Sequence, residues 1–139
     1  MKVISARLPS STSTGRSSWA TLHEDISRGE SAELAARQRY GMHACKDEHF
    51  GMAVAELVRA GCIPFVHNSG GQVEISGCDP RLCFTTQEDA VEKITAVMRD
   101  GRAQEAVLES LAPRKRMFTC ERFVEGIREA VRSRLAGCW

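Results

Sequence analysis

Apolar residues follow a helical spacing in some stretches of the chain, run without a break in one, and lack any period in another. From Phe123, the residues Ile127, Val131 and Leu135 follow at i+4, i+8 and i+12, which marks one face of a helix capped by Thr119 and running to about Leu135. Ala90, Val91, Ile94, Val97 and Met98 repeat that period behind Thr86 and predict a helix to about Arg99. Asp100-Gly101 ends it; a helix over 104–111 follows, and Pro113 separates that from the last one. Cys62–His67 (CIPFVH) is the unbroken run, with β-branched and aromatic members, and suits a parallel strand covered on both faces. Pro64 argues against full pairing of that strand as a central one.

Two shorter strands are predicted at Tyr40–Cys45 and Arg81–Phe84. A helix from Phe50 or Gly51 to about Arg59, closed by Gly61, joins the first strand to the apolar run, and one helical turn over Gln72–Ile75 leads towards the third strand. Upstream, Ser27 and Glu30 form a capping box for a helix ending near Arg37, with Leu34 as its apolar anchor. Residues 1–25 are Ser- and Thr-rich with no apolar period and read as a disordered leader; residues 136–139 read as a tail.

The order is one helix, then strand and helix three times, then a helical tail. The fold class is therefore α/β: a partial Rossmann-like parallel sheet of about three strands, with right-handed crossovers and flanking helices. So small a sheet is expected to leave an edge uncovered, open to self-association or to a second chain.

Composition narrows the partners. At 139 residues there is room for one domain, and the 42% hydrophobic and 27% charged residues are those of an ordinary globular chain. A net charge of +1 and a pI near 7.6 give no electrostatic case for nucleic acid. No apolar run approaches the roughly 18–20 residues of a membrane span, and the start lacks a secretory apolar core. A cytoplasmic chain is expected, with a peripheral position at the cytosolic membrane face as a variant. Six cysteines without a C-x-x-C pair read as reduced thiols. His43, Cys45 and His49 form an H-x-C-x3-H cluster to which Cys78 or Cys83 could add a fourth ligand. A packed strand-end histidine and an exposed loop histidine are the favoured readings, and no metal is expected.

The chemistry concentrates in Glu48–Ile75. Phe50-Gly51-Met52 opens a helix directly after a strand, where N–H groups without intrahelical partners and the helix dipole favour an anion such as phosphate. Glu48 precedes that turn; Glu56 stands five residues beyond Gly51, about 7.5 Å along the helix. A diphosphate at the helix start would thus have a carboxylate towards each end, each an acceptor for sugar hydroxyls. The Asn68-Ser69-Gly70-Gly71 turn is expected to add a second cluster of free N–H groups at the same C-terminal sheet edge, where open α/β folds bind ligands.

The runs Arg39–His43, Glu48–Glu56, Ala60–Pro64 and Gly70–Ile75 together resemble the C-terminal domain of the family 4 glycosyltransferases with the GT-B fold. Glu48 and Glu56 satisfy the Glu-x7-Glu element of that family. The EHFG and HNSGG forms are most similar to the branch that contains the dolichol-linked-oligosaccharide α-1,2-mannosyltransferase and its bacterial relatives. The resemblance implies a truncated nucleotide-sugar-binding domain over 26–135. It implies retaining transfer from a nucleoside-diphosphate sugar, GDP-mannose-like or a UDP-sugar, with no metal and no cofactor besides that donor. On this resemblance Glu48 is the catalytic residue and holds the donor sugar. The backbone of Phe50, Gly51, Met52 and Ala53 meets the diphosphate, Glu56 binds the ribose, and His43, Ser69, Gly70 and Gly71 line the same cleft. No residue matches the family's diphosphate-binding Arg and Lys, and a second GT-B domain does not fit in this length. The chain alone is expected to be inactive without a partner that supplies the other half; the alternative is a non-catalytic nucleotide-sugar-binding or interaction module.

Overall fold

The computed structural model describes residues 3–6 and 20–136, and the chain divides into two compact units, residues 1–34 and 35–139. In the first unit, β1 (Val3–Ala6) pairs antiparallel with β2 (Ala20–His23), in register from Val3 opposite His23 to Ala6 opposite Ala20. These two segments depart from the expected disordered leader. Each carries a β-branched residue, and pairing satisfies backbone N–H and C=O groups that an isolated extended segment leaves to water. Residues 7–19, the rest of the Ser/Thr-rich stretch, lie outside the described residues, as do residues 137–139 of the tail. The capping box forms as expected: Ser27 N–H donates to Glu30 Oε2 at 2.8 Å, and Glu30 N–H to Ser27 Oγ at 3.3 Å. It opens α1 (Arg28–Ala36).

The second unit is α/β. Its strands are β3 (Tyr40–His43), β4 (Ile63–His67) and β5 (Cys83–Phe84), all parallel, in the spatial order β3-β4-β5. Tyr40 stands opposite Ile63 and His43 opposite Val66; Val66 then stands opposite Cys83. Helix α2 (Met52–Ala60) crosses from β3 to β4, and the single turn α3 (Gln72–Ile75) precedes β5. The result is a three-stranded parallel sheet flanked by helices, a partial Rossmann-like fold. Because the strands are parallel, their C-terminal ends open onto one edge.

Central strand β4 includes Pro64, and as expected it is not fully paired there, since pairing with β5 begins only at Val66. The register explains why it is tolerated. The N–H groups of Val66 and Asn68 donate to Leu82 and Phe84 on the β5 side, whereas Ile63 N–H donates to Arg39 on the other. By strand alternation the missing Pro64 donor would point to the β5 side, before β5 begins, so no ladder bond is lost. Ile63, Pro64, Phe65 and Val66 are all buried, so both faces of β4 are covered. Phe65 meets Tyr40 of β3 with ring centroids 6.4 Å apart.

Helices α4 (Gln87–Arg99) and α5 (Gly101–Leu111) complete the core through Ala90, Val97, Val107 and Leu111. Thr86 caps α4 by accepting from Asp89 N–H. Helix α5 begins before the expected start because the Asp100 carboxylate caps it, accepting from Arg102 N–H at 2.9 Å and Ala103 N–H at 3.2 Å. Before β5, the turn is held by Arg81, whose side chain reaches both Asp79 oxygens, 2.9 Å to Oδ1 and 2.6 Å to Oδ2. A 3-10 segment (Ala112–Arg116) leads to α6 (Cys120–Ala136). No described helix is long and apolar enough to cross a membrane.

Candidate functional site

His43 ends β3, and the chain then runs through an exposed loop to Gly51, the N-cap of α2. Gly51 adopts φ 91° and ψ 45°, a left-handed conformation that side chains other than glycine's rarely accept. No side chain caps the helix there. The first intrahelical bond is Ala55 N–H to Gly51 O at 3.0 Å, so the amides of Met52, Ala53 and Val54 have no carbonyl partner within the helix. That is the polarity an anion requires. Met52 and Phe50 are exposed, and the Phe50 ring packs edge-on against Phe118 at 6.1 Å. Ala53 and Glu56 are half-buried in the same helix.

The second loop plays a different part from the one the sequence suggested. Of the Asn68–Gly71 amides, those of Asn68, Ser69 and Gly71 are already bonded within the fold, to Phe84 O, His67 O and Glu48 O. The expected cluster of free N–H groups is therefore largely committed to closing one loop on the other. The glycines are explained by that contact: a Cβ on Gly70 would lie 2.2 Å from the Glu48 carbonyl oxygen, and one on Gly71 2.5 Å from that of His49. Gly70 also has φ 69°. Ser69 Oγ accepts from Asp47 N–H at 2.8 Å and lies 2.8 Å from His67 Nδ1.

Gln72, which the sequence did not single out, completes this lock. It is fully buried, and its Nε2 donates to the carbonyls of Cys45 at 2.7 Å and His67 at 2.9 Å, spanning the ends of β3 and β4. A glutamine in the first turn of a short helix reads from sequence as a surface residue; only the strand register reveals its two carbonyl partners.

The two loops together aim Glu48 back towards β3. Its Oε2 lies 3.7 Å from His43 Nε2, with both side chains partly exposed. Cys45 is exposed at the loop start, and ligand atoms of His43, Cys45 and Glu48 all lie within 4.8 Å of one another. Among the described residues, the expected companions of His43 and Cys45 are not part of this group. His49 is exposed elsewhere in the loop, Cys78 is exposed after α3, and Cys83 is buried in β5 beside Ser76. Lys46 is exposed in the same loop.

No family model matches the chain, and no solved structure matches it significantly. Three curated proteins match in part, and each bears the name GDP-Man:Man(3)GlcNAc(2)-PP-Dol alpha-1,2-mannosyltransferase. Identity is 45% over 47 residues with that of Candida albicans, covering 34% of this chain and 8% of the relative. It is 41% over 49 residues with that of Dictyostelium discoideum, covering 35% and 10%, and 58% over 31 residues with that of Yarrowia lipolytica, covering 22% and 5%. The matched stretches thus span a tenth or less of the relatives' length. Within those limits, the chain bears a mannosyltransferase-like relationship.

Proposed function

We propose that this chain carries the donor-binding half of a retaining glycosyltransferase site of the family 4, GT-B type, which takes a sugar from a nucleoside diphosphate. One observation carries the reading. An uncapped helix N-terminus and Glu48 converge on the C-terminal edge of a parallel sheet, in a chain related to enzymes whose names specify GDP-mannose.

The backbone from Phe50 to Ala53 faces the diphosphate, and the unpartnered amides at the start of α2 supply a fixed positive field where negative charge grows as the sugar departs. The glycine N-cap lets α2 start in a left-handed conformation packed against Gln72 and Ile75, where a Cβ would lie 3.1–3.2 Å from their atoms. Glu56, one and a half turns into α2, accepts from the ribose hydroxyls. Glu48 is the catalytic residue: it accepts from the donor sugar and holds it against the leaving diphosphate, with His43 beside it. Ser69, Gly70 and Gly71 act by fixing the loop that carries Glu48, and so line the cleft by shaping it. No cofactor or metal takes part in this transfer. The acceptor surface belongs to a second GT-B half, so these 139 residues alone are expected to bind donor without turnover. β3, an edge strand of the described sheet, is the proposed surface for self-association or a second chain.

Calorimetric titration with GDP-mannose, UDP-glucose and the free diphosphates tests the reading. Saturable binding of at least one donor is expected, with Glu56→Ala weakening it about tenfold or more, the worth of one or two hydrogen bonds to a charged group. No binding at millimolar donor would sink the proposal. For the edge, sedimentation at rising concentration should show association; a species that stays monomeric removes that part.

A further inference from the structure

We propose that His43, Cys45 and Glu48 form a three-ligand site for a thiophilic divalent cation of the zinc type. The ligand atoms lie within 4.8 Å of one another. Tetrahedral zinc, with bonds of about 2.0–2.3 Å to nitrogen, oxygen and sulfur, sets its ligands roughly 3.3–3.8 Å apart. The 3.7 Å between His43 Nε2 and Glu48 Oε2 is within a few tenths of an ångström of the roughly 3.3–3.5 Å of a nitrogen–oxygen pair, and small rotations of Glu48 and of the exposed Cys45 side chain close the rest.

Two further observations point to a ligand. His43 Nε2 is sealed from solvent yet has no hydrogen-bond partner. A buried ring nitrogen normally finds one, and a metal satisfies its lone pair. The loop that carries the other two ligands is also fixed before any ion arrives. Gln72 holds the Cys45 carbonyl at 2.7 Å, Gly71 N–H holds that of Glu48 at 2.8 Å, and Ser69 Oγ holds the Asp47 amide at 2.8 Å. The mixed nitrogen, sulfur and oxygen set excludes calcium and magnesium, which take oxygen alone, and suits zinc. Coordination releases the thiol proton to solvent and leaves thiolate on the metal. Three protein ligands leave a fourth position on the exposed side of Cys45, open to water or a small anion.

Occupation would draw the Glu48 carboxylate away from a sugar hydroxyl, so metal and donor compete. That consequence rests on the donor reading; the metal site itself does not.

The test titrates the full chain with Co2+ in a phosphine reductant and follows the thiolate-to-cobalt charge-transfer absorption. The band is expected to saturate at one equivalent and to vanish when Zn2+ is added. Cys45→Ser should abolish it; His43→Gln and Glu48→Gln should each weaken affinity tenfold or more, with folding checked by circular dichroism. Cys78→Ser and Cys120→Ser should leave the band unchanged. A band that survives Cys45→Ser, or none at one equivalent, overturns the site. In a separate calorimetric arm, zinc should weaken donor binding tenfold or more. Donor binding unaffected by zinc defeats the competition, whereas no donor binding by the metal-free chain defeats the donor reading and leaves the cobalt result to decide the metal site.

Discussion

Helices α4 and α6 carry the same apolar period, yet the fold treats them in opposite ways. In α4, Ala90 and Val97 are 6% and 2% exposed, sunk in the core beside β5 and α5. In α6, Phe123, Ile127, Val131 and Leu135 are each 52–68% exposed. Period therefore tells which face of a helix is apolar, while only tertiary structure tells whether anything covers it. Stability in this unit should accordingly come from β4 and the helices packed on it, with α6 adding little.

The largest test of that contrast is Leu111→Ala, at the foot of α5, where the side chain is 1% exposed. A loss of about 2–5 kcal/mol in urea denaturation is expected. Gly70→Ala comes next: its left-handed backbone alone costs about 1–3 kcal/mol, and the added Cβ must push the Glu48 carbonyl away. NMR shift changes should centre on residues 47–50, with donor affinity falling alongside. Thr86→Ala, which removes the N-cap of α4, should cost about 1 kcal/mol.

A smaller effect should appear in acid. Burial alone would raise the Asp79 pKa, but the hydrogen bonds and charge of Arg81 outweigh it and hold the carboxyl below its usual range. With the folded value depressed, this contribution is complete above the unfolded value of about 3.9 and is lost as pH falls through the folded one. Asp79→Asn should flatten the acid limb of the stability profile. Smallest of all, Ile127→Ala should change stability by less than about 0.5 kcal/mol, as at an ordinary surface position. A loss above 1 kcal/mol there would show that the α6 face is covered in solution and break the contrast.

The sequence was most legible where local chemistry decides structure. Ser27 with Glu30, Thr86 and Gly61 each mark a helix end through their own hydrogen bonding or backbone freedom, and the CIPFVH run identifies a strand by its burial on both faces. It was least legible where distant segments meet. Pro64 argued against full pairing of its strand, but which side stays unpaired depends on the length of β5, which is not written in β4. Gly70 and Gly71 looked like a phosphate loop, since a glycine that admits a ligand and one that admits another backbone carry the same letter. Gln72 and the grouping of Glu48 with His43 and Cys45 depend on the β3–β4 register and could not be read from spacing. The paired strands Val3–Ala6 and Ala20–His23 were hidden by the polar residues that separate them.

The close approach of Gly70 to Glu48 bears on how such a site could be moved or rebuilt. Two loops from different crossovers share one volume, so neither can be lengthened, shortened or swapped without refitting the other. Anyone grafting this edge onto a new scaffold would have to transplant both loops, the Gln72 side chain between them and the stagger of the strands beneath as one indivisible part.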